Sequence, residues 1–554
     1  MVAVVLLWAA LLNFSAAQDV LMPEQTVPTP QSQPSWPDEV QLEAQGARIG
    51  VIRIQVDDIF DPNNPKENTS FYRAANYLHI ETRESTIRPQ LLFKSGDLFS
   101  RQIIEETARN LRGRNYLADA SVTVERFDSE TNTVDLLVRV HDNWTLAPGV
   151  SFSRSGGQSR SGIQLDESNL LGLGKSLSID YSQNVDRDAL EFTYHDPNLI
   201  NSRWELLTSY QRASDGGLHS VSLARPFYSL DSRWSAALDV LDQRRTDYRF
   251  VQGVSVDQYQ TKLNHLNMMG GWSTGLRART DGPSWVQRWS LGLTLDRQRF
   301  SPDPVTGTTV LPANQDSRYP WMSLSWLEDR YVVMRNRDQI DRVEDIYLGR
   351  ALYLQAGYAA KTWGADRNAL ITTIKAQAAY QPYEQQLFFL DAGISGRVES
   401  SQWLGTVLSA NARYDWQQSK YRILVIKVNH DQLKNPDDSQ QLYLGSDEGL
   451  RGYPLRYRSG TQRNVLVVEQ RAYTDWQLWQ LLSVGGVVFM DVGQINSGEL
   501  NNSQHTYMDV GIGLRLGNIR SSRGEVFHLD VAYPFNAATQ DRRWQFSITT
   551  KRSF

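Results

Sequence analysis

The 554-residue sequence contains no cysteine, carries no excess of basic charge and has little in the way of long apolar runs. The absence of cysteine excludes disulfides, thiolate metal sites and cysteine nucleophiles. Lys and Arg number 57 against 62 Asp and Glu, a net charge of −5, which argues against a nucleic-acid partner because phosphate-binding surfaces are basic. The longest apolar candidate beyond the N-terminus, residues 481–490, is about half the roughly 18 residues that a membrane-spanning helix needs. In a membrane, this chain would have to form a β-barrel.

Motifs for catalysis and metal binding are also missing. The stretch Gly172–Ser176 looks like the end of a phosphate-binding loop, but the glycine required five positions before Gly174 is replaced by Asn169, and a hairpin turn is the better interpretation. The acidic cluster within residues 57–63 lacks the spacing and the final Glu of a calcium loop, which favours a solvated turn. Neither G-x-S-x-G nor H-E-x-x-H occurs, and the eight His form no ligand cluster. We therefore expect no enzymatic activity, no cofactor and no metal.

The N-terminus reads as an export signal over residues 1–17, followed by a Pro-rich linker over residues 18–44. Residues 1–12 are apolar, and Ser15 to Ala17 supply small residues before the expected cleavage site. A positive n-region is missing, because the first basic residue is Arg48, and the alternative is a buried N-terminal helix. The prolines that follow favour the signal, since they cannot continue a packed helix.

Residues 45–143 predict a small α+β domain. Ile49 to Val56 alternate as a strand, a weaker helical stretch follows near residues 70–79, and Ser100 can cap a helix that carries apolar residues at helical spacing. Two further strands are expected at residues 120–127 and 134–140. This order, with the Gly96-Asp97 turn before the second helix, resembles a polypeptide-transport-associated (POTRA) domain, although a generic α+β domain is the alternative. The resemblance implies a sheet edge in the periplasm that accepts an extended client chain as an added strand.

From residue 144 to residue 554, period-two alternation runs without an interrupting helical layer. Met508, Val510, Ile512 and Leu514, for example, alternate with polar residues and glycines. A soluble sandwich also alternates, but it closes after roughly seven to nine strands. The length of the pattern therefore predicts an antiparallel transmembrane β-barrel of 16–20 strands, even in number, with apolar side chains toward lipid and charged ones toward the lumen.

Aromatic residues near strand ends fit the girdles at the two membrane interfaces, although strand propensity alone accounts for part of them. The sequence places in these girdles Trp204, Tyr228, Trp234, Trp285, Tyr319, Trp321, Trp476, Trp479, Tyr533 and Trp544. The chain ends in an alternating strand with Phe546, Ile548 and the terminal Phe554. This ending resembles the C-terminal signal by which assembly machinery recognises outer-membrane barrels.

Two short motifs sharpen the prediction. Leu450-Arg451-Gly452-Tyr453 lies in a long loop, and Phe489, Asp491 and Gly493 share one face of a later strand. Together they resemble the outer-membrane protein assembly and translocation superfamily of the BamA/TamA type. The resemblance implies that Arg451 folds back into the lumen and pairs with Asp491, that Gly452 permits the tight tip of the loop, and that Tyr453 and Phe489 pack beside the pair. A bidentate Arg–carboxylate contact in a partly dry lumen can hold such a loop in place.

The resemblance implies an outer-membrane assembly or translocation factor of a Gram-negative bacterium, with its POTRA domain in the periplasm. Its partners would be the bilayer, unfolded β-rich client polypeptides and periplasmic accessory proteins. A secretion pore for one dedicated passenger is the first alternative, although such pores usually carry two periplasmic domains and the sequence indicates one. A diffusion porin is the second, and it would need neither the loop motif nor the POTRA domain.

Overall fold

The protein, seen in a computed structural model, has a small N-terminal domain followed by a large closed β-barrel. The structure describes residues 36–65, 67–251, 253–304, 307–340, 342–479, 481–496, 505–518, 520 and 526–551. The predicted signal peptide, most of the predicted linker and Phe554 lie outside these residues. Within them, no helix combines the length and the apolar character needed to cross a membrane.

The N-terminal domain packs helices against a three-stranded sheet. Its sheet order is β1-β3-β2, with β1 parallel and β2 antiparallel to the central β3. The helices are α1 Glu39–Ala44, α2 Ser70–Leu78, α3 Glu84–Ile87 and α4 Arg101–Arg112, and the strands are β1 Arg48–Asp57, β2 Leu117–Asp128 and β3 Thr133–Asp142. The helix and strand positions agree with the predicted order, apart from α1 and α3, which the periodicity did not indicate.

The core of this domain lies between α4 and the sheet. Ile104, Ala108 and Leu111 of α4 are buried there, as their helical spacing predicts. Helix α1 falls in the predicted linker, yet its Leu42 is fully buried in the same core. A capping box between Asp38 and Gln41 begins this helix and is the signal that the Pro-rich composition obscured. Ser100 stands at the start of α4 without a side-chain capping bond, contrary to the prediction.

The barrel has 20 antiparallel strands, within the predicted range and even in number. Its strands are β4 Leu146–Ser155, β5 Gln158–Glu167, β6 Ser176–Gln183, β7 Asp188–Asp196, β8 Glu205–Ala213, β9 Gly216–Arg225, β10 Trp234–Val251, β11 Val254–Arg277, β12 Trp285–Pro302, β13 Gln315–Glu328, β16 Ala351–Ala359, β17 Ala369–Tyr383, β18 Gln386–Glu399, β19 Gln402–Ser419, β20 Arg422–Lys434, β23 Gln462–Leu478, β24 Leu482–Asn496, β25 His505–Asn518, β26 Val526–Pro534 and β27 Gln545–Lys551. Two hairpins stand apart from the wall: β14 Tyr331–Arg335 with β15 Val343–Tyr347, and β21 Leu442–Leu444 with β22 Arg458–Gly460.

The wall is apolar outside and charged inside. Ile512 and Leu514 of β25 are exposed, whereas Asp509 and Arg515 on its other face are buried. Trp476, Trp479 and Trp544 are strongly exposed near strand ends, as interfacial girdles require. Tyr319 and Trp321 do not belong to the girdles. Strand parity turns them inward, where the Trp321 indole donates to the Thr294 hydroxyl and lies against Gly292, whose missing side chain leaves room for the ring.

The barrel closes at a weak seam between its first and last strands. Strand β4 pairs with β5 along its whole length, and β27 pairs likewise with β26. Between β27 and β4, the one residue pair in register among the described residues is Ile548 with Arg154. Over the part of the chain that the structure describes, the seam is therefore paired along a much shorter length than the junction of β27 with β26.

The N-terminal domain sits at one opening of the barrel, which we call the domain end; the opposite opening is the far end. At the domain end, the Arg83 amide and the Thr86 hydroxyl both donate to the Gly172 carbonyl in the turn between β5 and β6. Gly172 and Gly174 in this turn have positive φ angles, which favours glycine at both positions. The predicted turn at residues 172–176 thus serves as a contact with the N-terminal domain.

Candidate functional site

The connection between β20 and β23, residues 435–461, enters the lumen from the far end. We call it the lumen loop. It carries the β21–β22 hairpin and is flanked by the tall β10–β11 hairpin, where the Phe250 amide donates to the side chain of Gln441 and the Ser459 hydroxyl donates to the Phe250 carbonyl. The loop is also fastened at its edge by Arg456, whose guanidinium makes two hydrogen bonds of 2.8 and 2.5 Å to Asp186.

At the centre of the loop, the structure brings Arg451 and Asp491 together. The guanidinium Nε and Nη2 donate to the two carboxylate oxygens of Asp491 at 2.8 and 2.7 Å, which is a bidentate pair. The remaining Nη1 donates to Glu469 at 2.8 Å, and the guanidinium lies 3.5 Å from the centre of the Phe489 ring. The Asp491 side chain is fully buried. One cation therefore satisfies two carboxylates of the wall and an aromatic face.

The neighbouring residues of the motif allow the loop to approach the barrel wall closely. Leu450 is fully buried and its side chain lies over Gly493, where a Cβ would come within 3.1 Å of it. A Cβ on Gly452 would lie 2.7 Å from the Cβ of Asp509, so a larger residue would push the loop away from the wall. Close approach, and not a tight tip with left-handed backbone, is therefore what requires glycine here.

The contacts of Tyr453 lie among aromatic residues of the lumen loop and β25. Its ring packs against Tyr457 and Tyr507, and its hydroxyl donates to the Met508 carbonyl at 3.2 Å. Phe489 does contact Arg451, as noted above. The two aromatic residues of the motifs thus hold different parts of the lumen loop.

The ion pair continues into a network that sequence reasoning missed. Glu469 of β23 accepts from Arg451 with one oxygen and from Arg471 with the other, at 2.8 and 2.9 Å. Arg471, which is fully buried, donates in turn to the carbonyl of Arg337 at 3.0 Å. The signal available in the sequence was the placement of Glu469 and Arg471 two residues apart on one face of β23, directly after the apolar run at residues 465–468. Arg337 lies outside the wall, in the β14–β15 hairpin.

The β14–β15 hairpin, with the residues that join it to β13 and β16, enters the lumen from the domain end. We call residues 329–350 the lumen hairpin. Arg337 donates to Asp415 of the wall at 2.6 Å, and Asp338 pairs with Arg413 at 2.8 Å. At its tip Ile340 is almost completely buried in a cluster with Ile423, Val425, Tyr473, Val487, Phe489, Val526 and Ala532. The lumen is therefore occupied from both ends, and the two insertions meet at the Glu469–Arg471 pair.

The lumen hairpin also contacts the N-terminal domain. Arg112 of α4 donates from two nitrogens to the two carboxylate oxygens of Asp345, at 2.7 and 2.6 Å. One helical turn earlier, the Arg109 guanidinium lies 3.9 Å from the centre of the Tyr331 ring. These side chains are mostly buried, so water screens the contact less than it screens a surface ion pair. A continuous chain of contacts thus runs from α4 through the hairpin and Arg471 to Arg451.

A buried carboxyl group supports the same junction. Glu106 of α4 accepts a hydrogen bond from the Leu230 amide at 2.7 Å, in the turn between β9 and β10, and another from the side chain of Gln102 at 2.8 Å. Burial raises the pKa of Glu106 above its ordinary value, because water is excluded from the charged form; the two hydrogen bonds and Arg109 oppose this effect.

The other predicted site residues that the structure describes lie on the last barrel strand and in a turn of the N-terminal domain. Phe546 and Ile548 are on β27, with the Phe546 side chain exposed on the outer wall, and Phe554 lies outside the described residues. Gly96 has a positive φ, and Asp97 accepts from the Lys94 amide at 2.9 Å, so both form a turn of the N-terminal domain. Among the described residues, no group of His, Asp and Glu is arranged to hold a metal ion.

Comparison with known proteins identifies the N-terminal domain. Residues 79–143 match the POTRA family described as a surface antigen variable number repeat. A curated relative from Treponema pallidum (strain Nichols), described as a "Putative outer membrane protein assembly factor", is 25% identical over 206 residues. The match covers 34% of this chain and 24% of that relative, so the chain matches about a quarter of its length.

Solved structures of low similarity also match most of the chain. BamA from Haemophilus ducreyi lacking POTRA domains 1–3 is 12% identical, with a TM-score of 0.38, over 91% of this chain and 84% of that one. CdiB from Acinetobacter baumannii is 12% identical, with a TM-score of 0.44, over 92% and 74%. CdiB from Escherichia coli is 11% identical, with a TM-score of 0.45, over 91% and 76%.

The family match agrees with the order of the domains in the structure. The POTRA match covers the strands β2 and β3 that lead directly into the first barrel strand. The match confirms the predicted POTRA domain, which precedes a closed barrel of 20 strands, and the curated relative agrees with the predicted resemblance to outer-membrane assembly factors.

Proposed function

We propose that this protein is a non-enzymatic factor that assembles or translocates β-rich polypeptides at the outer membrane. The observation that carries the proposal is the weak seam: among the described residues, the junction of β27 with β4 has one residue pair in register, Ile548 with Arg154, whereas β27 pairs with β26 along its whole length. Unpaired N–H and C=O groups along β4 and β27 can accept the strands of a client, because an exposed strand edge is a template for pairing. A client received at the seam can pass sideways into the bilayer.

The POTRA domain provides the first contact with the client. Strand β2 forms one edge of its sheet, and among the described residues it pairs only with β3. An extended segment can therefore add to β2 as a further strand, held by backbone hydrogen bonds that do not depend on the client's sequence. The domain lies in the periplasm in this proposal, with the signal peptide over residues 1–17 removed on export.

The occupied lumen favours this function over a diffusion porin. Two insertions from opposite ends meet at buried charged groups, so a wide aqueous channel has little room. The predicted roles of the motif residues follow: Arg451, Asp491 and Phe489 fix the lumen loop beside the seam, and Leu450, Gly452 and Gly493 let it approach the wall. Phe546, Ile548 and Phe554 serve as the assembly signal of the barrel itself.

A cross-link across the seam tests the proposal. The chain contains no cysteine, so a pair introduced by Arg154→Cys and Ile548→Cys provides the only two thiols. Directly opposed residues of antiparallel strands have Cα atoms about 4.5 to 5.5 Å apart, within the reach of a disulfide. The matched control is Leu291→Cys with Met322→Cys, an opposed and lipid-facing pair between β12 and β13.

The proposal predicts that oxidation of the seam pair stops insertion of β-barrel clients into vesicles, that reduction restores it, and that the control pair has no effect in either state. Full activity of the oxidised seam variant would rule out passage at the seam. Loss of export of one β-rich passenger, with barrel clients unaffected, would favour the dedicated secretion pore.

A further inference from the structure

The segment between β1 and α3, residues 58–80, is fastened to the domain end of the barrel. The Tyr72 hydroxyl donates to the Trp479 carbonyl at 2.8 Å, and Arg520 donates to the Ile59 carbonyl at 2.9 Å and to Glu67 at 2.7 Å. Ile59, Phe60 and Tyr72 are buried together against Trp144 and Leu481. The POTRA match begins at residue 79, so nearly all of this segment lies outside it.

Helix α2 in this segment turns an apolar face outward. Phe71 and Leu78, seven residues apart and so on one face of the helix, are 67% and 71% exposed. Tyr77 and Ile80 extend the patch and are 89% and 52% exposed. The opposite face of α2 packs against the rest of the segment, because Tyr72 is buried and Asn76 makes two hydrogen bonds to the backbone of Phe60. In water, such a concentration of large apolar side chains on one short helix is costly.

The patch continues the lipid-facing surface of the barrel. Trp479 holds the helix through its carbonyl while its own side chain is 73% exposed, and Trp476 beside it is 72% exposed. Both tryptophans lie where β23 ends, at the level at which aromatic girdles meet lipid headgroups. A helix held directly at that level presents its free apolar face at the same boundary.

We propose that α2 is an interfacial helix that buries Phe71, Tyr77 and Leu78 in the bilayer leaflet at the domain end of the barrel. Amphipathic helices in this position bury their apolar face in the boundary between headgroups and acyl chains. The contact fixes the POTRA domain at a set height and orientation relative to the membrane. The partner is the lipid surface, and a second copy of this chain is the competing occupant that the experiment must separate.

The experiment uses the full chain in lipid nanodiscs, with one cysteine introduced in the cysteine-free protein and labelled with an environment-sensitive fluorophore. Leu78→Cys places the label on the patch, and Phe71→Cys repeats the test at a second exposed position. The control is Ser129→Cys in the turn between β2 and β3. Because β3 has ten residues, this turn lies about 30 Å along the strand from the barrel. Quenching is measured with nitroxides attached to lipid acyl chains and with aqueous iodide.

We expect nitroxide lipids to quench the labels at positions 78 and 71 at least about threefold more than the label at position 129, with iodide showing the reverse order, because the helix face enters roughly 5–10 Å into the boundary. Strong iodide quenching at all three positions would overturn the proposal. Protection of positions 78 and 71 from both quenchers would also overturn it, since another copy of the protein would then cover the patch.

Discussion

The lumen loop and the lumen hairpin occupy the same barrel but are held in different ways. The loop enters from the far end and depends on one cation, Arg451, which serves both Asp491 and Glu469. The hairpin enters from the domain end and divides its contacts between the wall, at Asp415, and the POTRA domain, at Arg112. The centre of the loop is thus held by one shared cation, whereas the hairpin is a link between two domains. Substitutions in the lumen loop and in the lumen hairpin should therefore have effects of different magnitude.

Arg451→Ala should have the largest effect. It leaves Asp491 and Glu469 buried without their shared cation, and removing one partner of a buried ion pair costs roughly 3–5 kcal/mol. We expect release of the lumen loop and strongly reduced client insertion, while the barrel remains in the membrane. Client insertion into vesicles and resistance of the loop to added protease measure the two effects.

The matched control is Arg160→Ala. Arg160 is a partly exposed residue of β5 that pairs with Asp447 of the lumen loop. Surface pairs contribute little, so this variant should behave as the parent. If Arg451→Ala and Arg160→Ala gave the same client insertion and the same protease resistance, the loop would be held by contacts other than the pair of Arg451 with Asp491.

Arg337→Ala should have a smaller effect on the hairpin. Asp415 keeps a second partner, because Arg413 donates to it at 2.7 Å, so no buried carboxylate is abandoned and a cost of about 1–3 kcal/mol is expected. The measurement is the reaction rate of a thiol reagent with Ile340→Cys at the buried tip, which should rise when Arg337→Ala is added. An unchanged rate would mean that the apolar cluster alone holds the hairpin.

Arg112→Ala should affect the junction of the two domains and leave the barrel intact. The pair with Asp345 is mostly buried and bidentate, so a double-mutant cycle with Asp345→Ala should give a coupling energy of about 1 kcal/mol. Thermal unfolding of the POTRA domain within the full chain provides the readout. Strict additivity of the two substitutions would argue against a link through this pair.

The smallest expected effect is a dependence on pH of the stability of the docked POTRA domain. The pKa of Glu106 is raised by burial, so the folded state binds a proton more tightly than the unfolded chain does. Stability of the docked POTRA domain should therefore rise as the pH falls from neutral through the raised pKa toward the ordinary value of a Glu. Glu106→Gln should weaken this dependence. A thermal midpoint that falls with acidification in the parent, or an identical pH profile in the variant, would contradict this assignment.

Alternation in the sequence was sufficient to predict the wall of the barrel and its inverted polarity. The same period-two pattern that sets Ile512 outward and Asp509 inward is local, so it can be read without knowing the fold. Tyr319 and Trp321 were misplaced because aromatic residues are common both in girdles and in packed interiors. Their inward direction depends on strand parity and on the space above Gly292. That space belongs to the neighbouring strand β12 and cannot be seen in the sequence of β13.

Only some of the contacts at the centre of the site could be predicted from the sequence. Arg451 and Asp491 stand in motifs whose resemblance to a family suggested a partnership, and the structure brings them together. No motif predicts the partners of Arg337 and Arg112, which lie 78 and 233 residues away along the chain. Such contacts arise from the path of the lumen hairpin, which no local pattern encodes.

The most direct test of the account is the ionic conductance of the purified protein in planar bilayers, compared with that of a variant combining Arg451→Ala and Arg337→Ala. If the two insertions close the lumen together, the parent shows no steady open conductance and the double variant shows a large one. A parent that conducts steadily, at the level of the double variant, would contradict the claim that the lumen is closed from both ends.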